Sequence, residues 1–410
     1  MDIGDLDVDR LAGELDVRLA AADAALAALF PGDASGRQPV HTVYVPADRY
    51  TAGLGRDWGE RALGALAEHD GLFRDLVGDD DIVRRVRAKL AAEPIEDLRI
   101  DFEDGYGTRG DDAEDGDAAA AAAALAASVR DGTAPPFRGI RIKSFEAPTR
   151  RRGLRTLAGF AGALAQAAGT LDGLVVTLPK VTSVDQVEAM VYTCERLEAA
   201  LGLPAPRFEI QVETPQSILG PDGSALIARM VHAAGGRCSA LHYGTYDYSA
   251  SCGIAAQYQS MAHPAADHAK LVMQAAAAGT GVRLSDGSTN ILPVGDASAV
   301  RAGWQLHLRL VRRSLEHGYY QGWDLHPAQL PTRYAATFAF YRDGLGQAGE
   351  RLRDYLTAAG SAVLDEPATA RALADFFLRA VQCGAATEAE AVAATGLTGP
   401  GLADLARPRR

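Results

Sequence analysis

Two acids in this sequence are placed where they could do chemistry. Glu213 ends the β-forming run Arg207-Phe-Glu-Ile-Gln-Val-Glu213, and Thr214-Pro215 stops the strand immediately after it. Asp247 follows Leu241-His-Tyr-Gly-Thr-Tyr-Asp247, a second such run that breaks at Gly244. Carboxyl ends of strands are where α/β proteins keep their active sites. Two acids there, with few basic neighbours, suggest a divalent cation held by oxygen ligands. Zinc would call for thiolate or imidazole, and neither accompanies them.

Other strand ends supply matching groups. The run 97–104 closes on Glu103 and Asp104, run 139–143 carries Arg141 and Lys143, run 173–180 ends on Lys180, and Asp286 and His326 follow two later runs. If all of these face one mouth, the acids would hold a metal and the Arg and Lys side chains would bind an anion. Lys180 has a second reading, as a Schiff-base lysine of a metal-free aldolase. That role needs a depressed pKa, which nearby acids oppose. His326, followed by Pro327, reads as a structural cap or as a base.

The elements that must position these groups follow from hydrophobic periodicity. Eight short β-forming runs begin near residues 41, 97, 139, 173, 207, 241, 281 and 323, each separated from the next by a helix-length segment. No Gly-rich phosphate turn follows the first run, so the pattern favours a (β/α)8 TIM barrel over an open doubly wound sheet. Residues 9–30 have helical spacing of Leu and Ala and are expected to cap one end of the barrel. The acidic run 111–117 reads as a solvated loop before an Ala-rich helix. The expected division is 1–40 as N-terminal capping helices, 41–332 as the catalytic barrel and 333–410 as a helical C-terminal extension.

Bulk properties narrow the function classes. The chain has 410 residues, 48% of them hydrophobic, with a formal charge of −12 and a pI near 5.3. Such acidity argues against nucleic acid and anionic membranes as partners. A small anionic substrate fits only where Arg or a metal reverses the field locally. Four dispersed cysteines form no CxxC pair, which points to a reducing cytoplasm rather than a disulfide framework. Asp2, Asp5, Asp7 and Asp9 stand where a signal peptide would carry positive charge.

The series Tyr44-Val-Pro46, Ile100-Asp-Phe-Glu-Asp-Gly105, Ile140-Arg-Ile142, Leu178-Pro-Lys180, Val212-Glu-Thr214, Gly244-Thr-Tyr-Asp247 and Leu325-His-Pro-Ala-Gln329 resembles the citrate lyase β-subunit and malyl-CoA lyase family. That family belongs to the HpcH/HpaI-type aldolase superfamily, in the phosphoenolpyruvate/pyruvate TIM-barrel group. The resemblance spans roughly residues 40–330 in order. It implies a Mg²⁺-dependent carbon–carbon lyase, with Mn²⁺ as a substitute, acting on a 2-oxo or hydroxy acid or its CoA thioester. It places Glu213 and Asp247 at the metal, Arg141 at the substrate-binding arginine, and Leu325 and His326 beside the substrate. A homo-oligomer, trimeric or hexameric, is the expected assembly.

On this reading Arg141 grips a substrate oxygen bidentately, its other reading being a barrel-lining ion-pair partner of Asp101 or Glu103, and Glu103 or Asp104 accepts a bond from metal-bound water or from Arg141. Lys143 replaces an Asn found in many relatives and adds a charge for a second substrate carboxylate. Ala47-Asp48-Arg49-Tyr50 stands where relatives carry Pro-Gly and CoA-binding lysines, which leaves CoA use open. A phosphoryl-transfer enzyme on the related barrel and a catalytically silent binding subunit are the alternatives.

Overall fold

A computed structural model describes residues 7–34, 36–357 and 366–407 of the chain. Asp2, Asp5 and part of the C-terminal extension lie outside these residues. In chain order the elements are α1 (Val8–Leu29), β1 (His41–Pro46), α2 (Leu54–Glu68), α3 (Asp70–Val77), α4 (Asp80–Ala92), β2 (Asp97–Asp101), α5 (Asp111–Arg130), β3 (Phe137–Arg141), α6 (Arg150–Ala168) and β4 (Leu174–Leu178). They continue with α7 (Val184–Leu201), β5 (Arg207–Val212), α8 (Pro215–Ile218), α9 (Leu226–Ala233), β6 (Cys238–Tyr243), α10 (Thr245–Ser251), α11 (Pro264–Ala277), β7 (Arg283–Ser285), α12 (Ala297–Glu316) and β8 (Gly322–Asp324). The extension holds α13 (Leu330–Thr357), α14 (Pro367–Cys383), α15 (Glu388–Thr395) and α16 (Gly399–Ala406).

All eight strands are parallel, in the order β7-β6-β5-β4-β3-β2-β1-β8. The sheet closes on itself where Asp286 N–H donates to Gln321 O at 2.8 Å and Trp323 N–H to Gly287 O at 3.1 Å. It is a (β/α)8 TIM barrel, as the eight-run pattern predicts.

Strand alternation divides each strand between two environments. On β2, Leu98 and Ile100 point outward and are buried, as are Ile140, Val176, Phe208, Ile210 and Leu241 on the following strands. Each such side chain, buried against the surrounding helices, contributes roughly 1.5–3 kcal/mol. The inward set is polar. Arg99 crosses the barrel to Glu209 through two hydrogen bonds, Nε to Oε1 at 2.9 Å and Nη2 to Oε2 at 2.6 Å, and also pairs with Asp97. His242 Nε2 lies 3.1 Å from Glu209. Burial alone would push the Glu209 carboxyl up, but Arg99 and His242 hold it far below the usual range. A charged layer thus closes the barrel interior beneath the mouth.

Three local expectations change. Residues 111–117 are the first turns of α5 and not a loop, because Glu114 is fully buried among Lys143, Arg152 and Thr156. Helix α1 has no buried residue, and its stripe of Leu11, Leu15, Leu19, Leu26 and Leu29 is 38–53% exposed. After α1 the chain runs to the amino-terminal end of the barrel, where Gly32 N–H donates to Gly279 O at 2.8 Å. Helix α13 starts at Leu330, and its Tyr334, Phe338 and Tyr341 belong to the main core.

Candidate metal centre at the barrel mouth

The site is built from the ends of β2, β4, β5 and β6. Inward alternation along β5 places Glu209, Gln211 and Glu213 in a column, with Glu213 uppermost and 1% exposed. Its two oxygens are held from different strands: Oε1 accepts from Lys180 N–H at 2.6 Å, and Oε2 accepts from Gln211 Nε2. Lys180 makes its bond with φ of 51°, the single positive-φ non-glycine among the described residues. A left-handed lysine is strained, and strain of this kind gathers at functional sites.

Gly244 lets Glu213 reach its place. A Cβ at Gly244 would lie 2.6 Å from Glu213 Cβ and 3.1 Å from its Oε2. Past this glycine α10 begins, with Asp247 in its first turn. In the turn after β2 a similar constraint acts at Gly105, where a Cβ would meet Asp101 Oδ2 at 2.7 Å.

Asp104, Glu213 and Asp247 each offer one oxygen, all within 4.8 Å of one another, and together could hold a metal ion. The donors are carboxylates only, a set that suits a hard divalent cation. Burial pushes Glu213 up to about 8, against the pull of Lys180 and with the help of Glu103 and Asp247. A divalent ion would remove that repulsion. The residues present therefore fit the metal, and Asp104, expected as an acceptor for metal-bound water or for Arg141, joins Glu213 and Asp247 as a direct ligand candidate.

Lys180 Nζ stands among these acids: 2.6 Å from Glu103 Oε1, 3.1 Å from Asp104 Oδ2, 3.8 Å from Asp247 Oδ2 and 4.0 Å from Glu213 Oε1. Burial works to lower its pKa, but Glu213 and Glu103 outweigh it and hold the amine above its ordinary value. A firmly protonated lysine is a poor Schiff-base nucleophile. Burial raises Glu103, while Asp104 ends below its ordinary value because Lys180 and Arg141 overcome its burial.

Arg141 is buried and committed. Its Nε and Nη2 donate to Asp101 Oδ1 and Oδ2, both at 2.7 Å, and its guanidinium lies over the Tyr44 ring at 4.7 Å. Only Nη1 turns elsewhere, toward Glu103 Oε2 at 3.3 Å and Gln211 Oε1 at 3.4 Å. The bidentate grip on substrate is therefore corrected: Asp101 already fills the fork.

Lys143 is corrected too. Its Nζ donates to Phe102 O at 2.6 Å and Glu114 Oε2 at 2.7 Å, so it ties β3 to α5 and is spent away from the mouth. His326 caps the turn after β8: Nδ1 accepts from Ala328 N–H at 3.1 Å, and Nε2 faces Arg61 Nη2 at 3.3 Å. Burial and then Arg61 lower its pKa. Leu325 is at the rim, 36% exposed, its N–H bonded to Gln329 Oε1 at 2.8 Å. Neither residue shares a hydrogen bond with the carboxylate group. Asp286 is buried against Lys270 and Ser314 and belongs to the framework. Asp101 is the partner that the ion-pair reading of Arg141 names, whereas Gln211 is not singled out by the sequence; period-two alternation, followed two residues back from Glu213, marks it.

A parallel (β/α)8 barrel with three carboxylates and a lysine at its carboxyl-terminal mouth defines the class. Residues 19–410 match the family described as DUF6986, a domain of unknown function, and the chain belongs to it. No curated protein matches the sequence. Among solved structures, the chain is similar to Haloferax volcanii malate synthase, both as its lead(II) complex (14% identity, 88% of this chain and 90% of that one, TM-score 0.51) and as its magnesium/glyoxylate complex (13% identity, 91% and 99%, TM-score 0.50). It is also similar to protein CitE from Mycobacterium tuberculosis in complex with magnesium, acetoacetate and coenzyme A (18% identity, 87% and 98%, TM-score 0.48). The likeness to malate synthase shows the fold.

Proposed function

We propose that this protein is a Mg²⁺-dependent enzyme that makes or breaks a carbon–carbon bond next to the carbonyl of a 2-oxo acid. The observation that carries the reading is the meeting of Asp104, Glu213 and Asp247 oxygens within 4.8 Å at the mouth of a closed barrel. Magnesium held there would polarise a keto oxygen and stabilise the negative charge that develops as the bond breaks.

The chain's own residues do the positioning. Gln211 and the Lys180 N–H fix the two Glu213 oxygens so that neither turns away from the mouth. Asp101 locks the Arg141 plane, leaving Nη1 to meet one oxygen of the substrate. Glu103 bridges Arg141 and Lys180 and keeps both cations at the floor of the site. Leu325 and His326 border it. Where CoA-binding lysines stand in the resembling family, the turn after β1 carries Asp48, paired with Arg109 at 3.0 Å.

The test is deuterium exchange into the methyl group of pyruvate, followed by NMR with and without Mg²⁺. Exchange by the wild type that needs Mg²⁺ and disappears in Glu213→Gln supports the reading. Exchange that survives chelation but is lost in Lys180→Ala would replace it with Schiff-base chemistry, and no exchange with any 2-oxo acid would leave a binding subunit.

A further inference from the structure

Lys180 brings a fixed positive charge into the cluster that the proposed function assigns to a metal. Its Nζ lies within 4.0 Å of an oxygen of each of Asp104, Glu213 and Asp247, and it is anchored at 2.6 Å by Glu103, which is not among those three. Magnesium sits about 2.0–2.1 Å from its oxygen ligands. An ion bound to these three acids would therefore press against the ammonium, at separations where like charges repel strongly. The backbone works to put the amine there. Lys180 adopts φ of 51° and in that conformation gives its N–H to Glu213 while its side chain turns over the same carboxylate.

Resting on the metal reading above, we propose that Lys180 is a tethered counter-cation that competes with the divalent ion for the carboxylate cluster. When the ion binds, the ammonium withdraws from Asp104, Asp247 and Glu213 and keeps its bond to Glu103. Metal affinity is then set by the exchange of one cation for another. Glu103 is the pivot because it holds the amine without taking part in the ligand set.

The experiment titrates Mn²⁺ into wild type and Lys180→Met, without substrate, and follows the free-ion signal by electron paramagnetic resonance. Removing the competing charge is expected to tighten Mn²⁺ binding by about tenfold or more. It should also lower the unfolding temperature of the protein in chelator, with Mn²⁺ restoring it. Independently of whether the variant folds, acylation of Lys180 in the wild type, read by peptide mass spectrometry, should rise when Mn²⁺ is added. Binding by the wild type with no gain in Lys180→Met, or Lys180 acylation that Mn²⁺ does not change, overturns the competition and leaves the lyase reading standing. Absence of Mn²⁺ binding in both proteins overturns the two together.

Discussion

Glu213 reaches the mouth because its neighbour across the β5–β6 pair has no side chain. With a Cβ at Gly244 only 2.6 Å from its own, Glu213 would have to shift, and its bonds to Gln211 and the Lys180 N–H would not survive together. Gly244→Ala is therefore expected to fold normally by circular dichroism and to bind Mn²⁺ at least about tenfold more weakly, the usual cost of disturbing the groups that orient a metal ligand. Normal affinity in that variant would mean the site tolerates a displaced Glu213. At this scale the sequence was readable where a residue type is rare at its position. An acid ending an apolar strand stands out, and that is what singles out Glu213 and Asp247 in the sequence. Arg141 reads equally as a substrate clamp and as an ion-pair partner of Asp101 or Glu103, and the sequence does not choose: whether a guanidinium faces a substrate or Asp101 is decided by a side chain forty residues away.

Elements are held in register by a second buried group, separate from the carboxylate cluster at the mouth. Asp324 on β8 accepts from Arg333 on α13, faces His41 Nδ1 on β1 at 2.9 Å, and lies 3.1 Å from His307 Nε2 on α12. Burial would raise its pKa, but Arg333 and the two histidines hold it well below the usual carboxylate value. A depressed carboxylate stabilises the fold above its unfolded pKa, near 3.8, and that stability is lost as the pH falls below it. Asp324→Asn should accordingly cost about 3–5 kcal/mol in urea unfolding at pH 7, since it strands Arg333 in the interior. The gap from wild type should narrow below pH 4, and a gap independent of pH would deny the charge its role. The eight strands and most helices were visible from period-two and helical spacing alone. The acidic run at 111–117 was misjudged because the partners that bury Glu114 come from β3 and α6.

For the whole molecule, the C-terminal helices share the barrel's core and add one of their own. Ala380 and Cys383 of α14 pack into the main core, while Phe377 joins Leu352, Leu373 and Leu402 in a second cluster. Arg379 donates to Gln38 at 2.8 Å, which docks the extension at the amino-terminal end of the barrel. Phe377→Ala is expected to destabilise these helices by about 3–5 kcal/mol, measured by urea unfolding. Its Mn²⁺ affinity should stay unchanged, because the mouth lies at the other end. The described helices include none long and apolar enough to cross a membrane. By itself the sequence determined the barrel, since alternating strand and helix periods leave few ways to bury every apolar face, and it determined which strand ends carry acids. Only the tertiary structure decided which of those groups meet. Asp104 joined Glu213 and Asp247, Lys180 stood among them, and Lys143 turned away, because closing the sheet brings together residues that no spacing along the chain relates.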